Sequence, residues 1–211
     1  MNHFVNSEIL ILISLWVVYF ALHSVLASAA VKNLAFRWLR ISRRFYRLQY
    51  VIFSTASLFG ILLYAASLPA DYLLGPSVVL RFLGLVLAGW GTIIVKKAFG
   101  SYDGRAFLGL GELGPEEDFK DDGLLKYVRH PLYAGSILVL SGFFLFIPTA
   151  VNLISVLLVV NYFLIGIQFE ERRLISRFGG RYLRYRSNTP MLIPDFSAIL
   201  NKNSNTDSKS D

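Results

Sequence analysis

Arg129 and His130 stand directly before Pro131, with Tyr127 just upstream and Tyr133 and Gly135 just downstream. Proline suits the first turn of a helix because the amide hydrogen it lacks is not needed there, so this order puts a guanidinium and an imidazole at a helix N-terminus. Unpaired amides and the helix dipole favour an anion at such a point, and the guanidinium adds a permanent charge with a planar fork. That is chemistry for holding a carboxylate. The plainer reading of the same residues is interfacial anchoring at the end of a membrane span. A second cluster, Glu170, Glu171, Arg172 and Arg173, closes an apolar run. Carboxylates at that depth are costly unless paired or used. Arg173 or Arg177 at helical spacing would satisfy them locally. A tight hairpin would instead carry Glu170 or Glu171 back beside Arg129 and His130.

Hydrophobic helices must position both clusters. The chain has 211 residues, 55% of them hydrophobic and only 17% charged, which is outside the ordinary soluble range. It contains no cysteine, so disulfides, thiolate metal sites and cysteine nucleophiles are excluded. A bilayer core roughly 30 Å thick takes about 20 apolar residues in a helix. Residues 8–28, 48–68, 78–95, 132–147 and 151–169 approach that pattern. Only Pro148, Thr149 and Ala150 separate the last two, which makes them a hairpin. The first apolar run has no lysine or arginine ahead of it and is longer than a signal-peptide core, so it should remain as a helix.

The charge of +7 follows the membrane rather than nucleic acid. Lys32, Arg37, Arg40, Arg43, Arg44 and Arg47 crowd the first connection, and residues 69–77 carry none. The third connection and the C-terminal region are again basic, leaving only Arg81 for the far side. About five spans, with the N-terminus outside and the C-terminus cytoplasmic, satisfy this pattern. The expected fold is therefore an all-α, polytopic integral membrane protein with a C-terminal hairpin. Leu174, Phe178, Tyr182 and Tyr185 recur at spacings of three and four, which predicts a cytoplasmic amphipathic helix over 170–185 with a break at Gly179 and Gly180. The expected organisation is a three-helix region over 1–97, a ligand-binding region over 98–200 and a disordered tail over 201–211. His23, inside the first span, reads as a residue hydrogen-bonded between helices. The Gly84, Gly89 and Gly91 set reads as a site of close helix contact.

Arg-His-Pro-Leu-Tyr-Ala-Gly at 129–135, the hairpin, Glu170 and Glu171, Phe-Gly-Gly-Arg-Tyr-Leu-Arg-Tyr at 178–185 and Pro-Met-Leu-Ile-Pro at 190–194 together resemble the isoprenylcysteine carboxyl methyltransferase superfamily. Leu-His-Ser at 22–24, Arg-Phe-Tyr-Arg-Leu-Gln-Tyr at 44–50 and the Ser-Tyr-Asp-Gly-Arg run from 101 resemble its bacterial branch, with methanethiol methyltransferases and NnrU-type membrane proteins.

The resemblance implies a pocket for S-adenosylmethionine between the hairpin and the C-terminal helix, entered from the cytosol. Tyr127, Arg129, His130, Pro131, Tyr133, Gly135, Glu170 and Glu171 would bind the cofactor. Arg184, Arg186 and Asn188 would meet the methyl acceptor, a thiol or carboxylate of a small or lipophilic molecule. Asn188 stands where eukaryotic prenylcysteine enzymes place a basic residue, so a neutral acceptor fits at least as well as a carboxylate. No catalytic residue is singled out, and no metal is required. The implied setting is a bacterial inner membrane, with the lipid bilayer as the expected partner. Two alternatives remain open: a non-catalytic NnrU-like membrane protein, and an NADPH-dependent enzyme resembling sterol reductases. The second would typically carry an Arg-Asp pair and a cysteine where this chain has Glu-Glu-Arg-Arg and none.

Overall fold

Helices make up nearly all the regular structure in a computed structural model of the chain, which describes residues 2–38, 40–75, 77–100 and 119–195. They are α1 (Asn2–Ala27), α2 (Ala29–Trp38), α3 (Arg43–Ser67), α4 (Val78–Phe99), α5 (Pro131–Phe146), α6 (Ala150–Phe178) and α7 (Gly180–Asn188), with a 3-10 turn at Gly123–Lys126. Four of them, α1, α3, α4 and α6, are long and apolar enough to cross a membrane. The 16-residue α5 is shorter, roughly 24 Å at 1.5 Å per residue. The all-α, polytopic membrane architecture expected from hydropathy is therefore the observed one.

Three helices meet around one apolar core. Leu12 and Trp16 of α1, Ile61 of α3 and Val151 of α6 form its buried centre, and Trp16 Nε1 donates to Ser155 Oγ at 3.2 Å. The second unit of packing is the pair α4–α5, which close on each other through glycines two turns apart. A Cβ on Gly84 would stand 2.6 Å from the Gly142 carbonyl oxygen, and one on Gly91 would stand 2.6 Å from that of Gly135. Only hydrogen fits at these positions, so the two backbones touch. Gly89 plays no part, since a Cβ there meets nothing within 4 Å.

The connection before α4 ties the two units together on one side of the molecule. Tyr72 and Thr149 form an antiparallel bridge, Leu73 N donates to the Pro148 carbonyl at 2.8 Å, and Ala150 N donates to that of Asp71 at 3.0 Å. The α3–α4 connection and the α5–α6 turn thus share a face, and the α1–α3 connection lies at the opposite end.

One connection holds an element of its own, and one expectation needs correction. In the basic first connection Ala29–Trp38 folds as α2, held to α3 by the edge-on contact of Phe36 with Tyr46 at 5.8 Å. The segment 170–185 is not one separate amphipathic helix. α6 runs unbroken through Glu170 and Glu171 to Phe178, because nothing before Gly179 interrupts it. Gly179 then takes φ 53°, ψ −129°, a conformation closed to side-chain-bearing residues without strain, and α7 sets off in a new direction. The Ser-Tyr-Asp-Gly-Arg run from 101 and the tail over 201–211 lie outside the described residues.

Candidate functional site

Where α4 ends, α5 begins and α6 runs into α7, the helices enclose a cavity of about 920 Å³. Lys97 and Phe99 come from the end of α4, Lys126 and Tyr127 from the 3-10 turn, and His130, Pro131 and Tyr133 from the entry to α5. Glu170, Leu174 and Phe178 of α6 face them, with Tyr182 and Tyr185 of α7. The stripe at 174, 178, 182 and 185 forms one wall of this space.

Glu171 is the knot that holds the site together. Its Oε1 accepts from Arg129 Nε at 2.8 Å and from His130 Nε2 at 3.2 Å, and Arg186 Nε stands 3.1 Å from its Oε2. The carboxylate is buried, with 4% of its side chain exposed. Arg129 is committed elsewhere as well, donating from Nη1 to the carbonyls of Thr189 at 2.6 Å and Arg186 at 3.0 Å. In this structure its fork is engaged by protein groups, so it clamps the segment after α7 against α5. That segment also pairs through its backbone: Arg129 N donates to the Pro190 carbonyl at 2.9 Å and His130 N to that of Met191 at 3.1 Å. This is the structural use of the Pro-Met-Leu-Ile-Pro run.

Glu170 differs. Its side chain is 44% exposed, it lines the cavity, and its Oε2 lies 3.9 Å from His130 Nδ1. His130 thus stands between two carboxylates, one buried and one open. It also occupies the N-cap of α5 without a side-chain capping bond. Pro131 takes the next position, and Leu132 and Tyr133, in the first turn of α5, both line the cavity. Tyr133 packs edge-on against His130 at 5.8 Å and Phe163 at 5.4 Å.

Of the aromatic wall, the sequence marks Phe178, Tyr182 and Tyr185 as one stripe, and only the fold adds Phe119 to it. Phe119 packs on Phe178, Tyr182 and Tyr185 with ring centroids 5.1–5.8 Å apart. Tyr185 donates to the Leu125 carbonyl at 2.7 Å. Tyr182 is 1% exposed, and its hydroxyl finds no hydrogen-bond partner among the described residues. Burial first, and then the nearby Glu171 carboxylate, push its pKa up to about 12, so the hydroxyl keeps its proton. Burial likewise raises Tyr185.

The remaining expected residues lie off the cavity. Gly135 faces α4 and meets the Gly91 backbone, so its missing side chain serves helix packing. Arg186 is spent on Glu171. Arg184 and Asn188 are exposed, and Asn188 Nδ2 donates to the Arg184 carbonyl at 3.0 Å. Among the described residues no cluster of histidines and carboxylates has the makings of a metal site.

The sequence profile of the family described as phospholipid methyltransferase matches residues 76–181, half of the chain. The chain belongs to that family. The matched stretch covers the glycine-packed pair α4–α5 and α6, and therefore most of the cavity wall. Methanethiol S-methyltransferase 1 of Bradyrhizobium diazoefficiens is 30% identical over 184 residues, 82% of this chain and 62% of its own length. Methanethiol S-methyltransferase of Crocosphaera subtropica is 41% identical over 76 residues, 36% of this chain and 29% of its own. That of Pseudomonas deceptionensis is 34% identical over 116 residues, covering 50% and 42%. The chain thus spans less than two thirds of the length of the curated relatives it matches. No solved structure matches it.

Proposed function

We propose that this protein is a membrane methyltransferase that takes its methyl group from S-adenosylmethionine and passes it to a thiol or carboxylate of a small or lipophilic acceptor. The observation that carries this reading is the cavity, where Tyr127, His130, Tyr133 and Glu170 converge on one space of about 920 Å³. That volume lies in the range of small-molecule sites. The residues present fit such a cofactor. The lining carries Lys97, Lys120, Lys126, Arg129 and Arg177 against Asp122 and Glu170, an excess of positive charge suited to a carboxylate. The buried Tyr182 hydroxyl, beside the Glu171 carboxylate, adds a further polar group to the cavity wall.

His130 and the amides of Leu132 and Tyr133 would receive the cofactor's carboxylate, Glu170 and Asp122 its ammonium, and the faces of Phe119, Phe178 and Tyr185 its adenine. When bound, S-adenosylmethionine supplies a methyl carbon on a sulfonium, open to in-line displacement. The walls' task is then to align the acceptor and exclude water. The names of the relatives favour a thiol acceptor. The clustering of basic residues supports an orientation with the cavity in the cytoplasm, and the bacterial relatives support an inner membrane.

Calorimetric titration of the detergent-purified protein with S-adenosylhomocysteine, run beside NADPH and repeated on His130→Ala, tests the reading. Saturable binding of S-adenosylhomocysteine that His130→Ala weakens is expected; no binding, or binding of NADPH in its place, would overturn it.

A further inference from the structure

Polar groups inside apolar spans are costly unless partnered, and those of α1 show how partners are found. His23 sits between the Tyr50 hydroxyl and Ser54 Oγ of α3, at 2.9 Å and 3.2 Å. Ser24 Oγ lies 3.0 Å from the Tyr162 hydroxyl of α6. An exposed hydroxyl can also close on its own helix. Ser14 donates to the Leu10 carbonyl at 2.8 Å and Thr92 of α4 to that of Ala88 at 2.7 Å, which uses the single hydrogen each has.

Asn161 of α6 has no such solution. It stands about 16 Å along α6 at 1.5 Å per residue, near the midplane of a bilayer core roughly 30 Å thick. Its Nδ2 donates to the Leu157 carbonyl at 2.8 Å. That leaves a second N–H and the side-chain carbonyl without a partner among the described residues. The side chain is exposed, so a lone copy would turn both groups into hydrocarbon.

The neighbours of α6 fix the direction in which Asn161 points. Ser155 and Tyr162 face α1, meeting Trp16 Nε1 at 3.2 Å and the Phe20 ring at 4.3 Å. Phe163 and Glu171 face α5 and its entry, meeting Tyr133 and Arg129. At about 100° per residue, Asn161 falls on a third face, turned away from both. Leu157, Leu164 and Gln168 share that face and are exposed as well. Their spacing of four, three and four residues is the repeat of a left-handed helix pair, with leucines at the d positions and amides at the a positions. Arg172, one turn on, lies over the Phe169 ring at 5.9 Å and so leans off this seam.

We propose that α6 pairs with α6 of a second copy of this chain, with Asn161 of one copy hydrogen-bonded to Asn161 of the other across a two-fold axis. All copies enter the membrane in one orientation, so the axis of a closed pair runs along the membrane normal and brings each residue to its own counterpart at the same depth. A side-chain amide is its own complement there, because its N–H donates to the facing carbonyl while its carbonyl accepts in return. Lipid chains offer neither group. The cavity lies on another face of α6, so the pairing leaves both cavities open.

The chain holds no cysteine, so Leu164→Cys carries a single thiol. Oxidation with copper phenanthroline in native membranes should link two copies through it, whereas Ile93→Cys, exposed on α4 at nearly the same depth, should stay unlinked. Single-molecule photobleaching of the labelled full chain in liposomes, at rising lipid dilution, then reads the pair itself. Dimers are expected for the wild type, and Asn161→Leu, which leaves the span wholly apolar at that depth, should weaken them by about tenfold. Asn161→Gln keeps an amide in place and should retain most of the association. A monomeric wild type, equal linking of Leu164→Cys and Ile93→Cys, or undiminished pairing of Asn161→Leu overturns the proposal. Ligand titration of the same samples is a separate readout, and the methyltransferase reading stands or falls on that result alone.

Discussion

Glu170 and Glu171 are neighbours in sequence with opposite surroundings, and that contrast separates holding the site from serving it. Glu171, with 4% of its side chain exposed, compensates Arg129 and Arg186 and orients His130. Replacing it leaves the largely buried Arg129 guanidinium without its counter-charge, for which a cost of about 3–5 kcal/mol is typical. Glu171→Gln should therefore lower the unfolding temperature in detergent and weaken S-adenosylhomocysteine binding together. Glu170, at 44% exposure, has little stability to lose, within about 0.5 kcal/mol. Glu170→Gln should unfold with the wild type yet bind the ligand more weakly. A stable Glu171→Gln, or an unstable Glu170→Gln, would show that these roles are reversed or absent. The sequence carries the expectation that one of the pair meets His130, because a tight hairpin forces that return. It does not carry which one, since about 100° of helix rotation between adjacent residues depends on how α6 packs.

Hydropathy marks the limits of the membrane, and helices obey other limits. The apolar run ends at Phe169, but α6 continues to Phe178 because its next nine residues contain no proline or glycine. α2 is missed for the converse reason: ten residues with Lys32 and Arg37 look like a loop, and the helix rests on contact with α3 rather than on its own pattern. Gly135 shows a third limit. A glycine near a binding motif reads as room for a ligand, and only the position of Gly91 on another helix shows that the room is taken by backbone. A test of that packing follows at the level of the element. Gly91→Ile drives a branched side chain into the Gly135 carbonyl, where no flexible group can yield, and should exceed the usual overpacking cost of about 1–3 kcal/mol. Gly89→Ala sits in open space on the same helix and should be neutral or slightly stabilising, by up to about 1 kcal/mol. Thermal unfolding in one detergent compares the two; equal melting temperatures would remove the backbone contact between α4 and α5.

At the scale of the whole molecule, sidedness is the property on which the site depends. Backbone bonds join the α3–α4 connection to the α5–α6 turn, so residues 69–77 and 147–150 share one face of the membrane. The α1–α3 connection, the entry to α5 and α7 must then share the other, and this second face holds nearly all the lysines and arginines among the described residues. Charge distribution alone also leads to this arrangement, because the cost of translocating cations acts on sequence directly and needs no knowledge of packing. The cavity opens at the basic face, so a ligand made in the cytosol reaches it only if that face is cytoplasmic. The chain has no cysteine of its own, which makes single introduced thiols clean reporters. Ala70→Cys, exposed in the α3–α4 connection, should react with a membrane-impermeant maleimide on intact cells. Ser187→Cys, exposed on α7, should react only after the membrane is opened. The reverse pattern would place the cavity outside the cell, where cytosolic S-adenosylmethionine has no access, and would sink the proposed function along with the orientation.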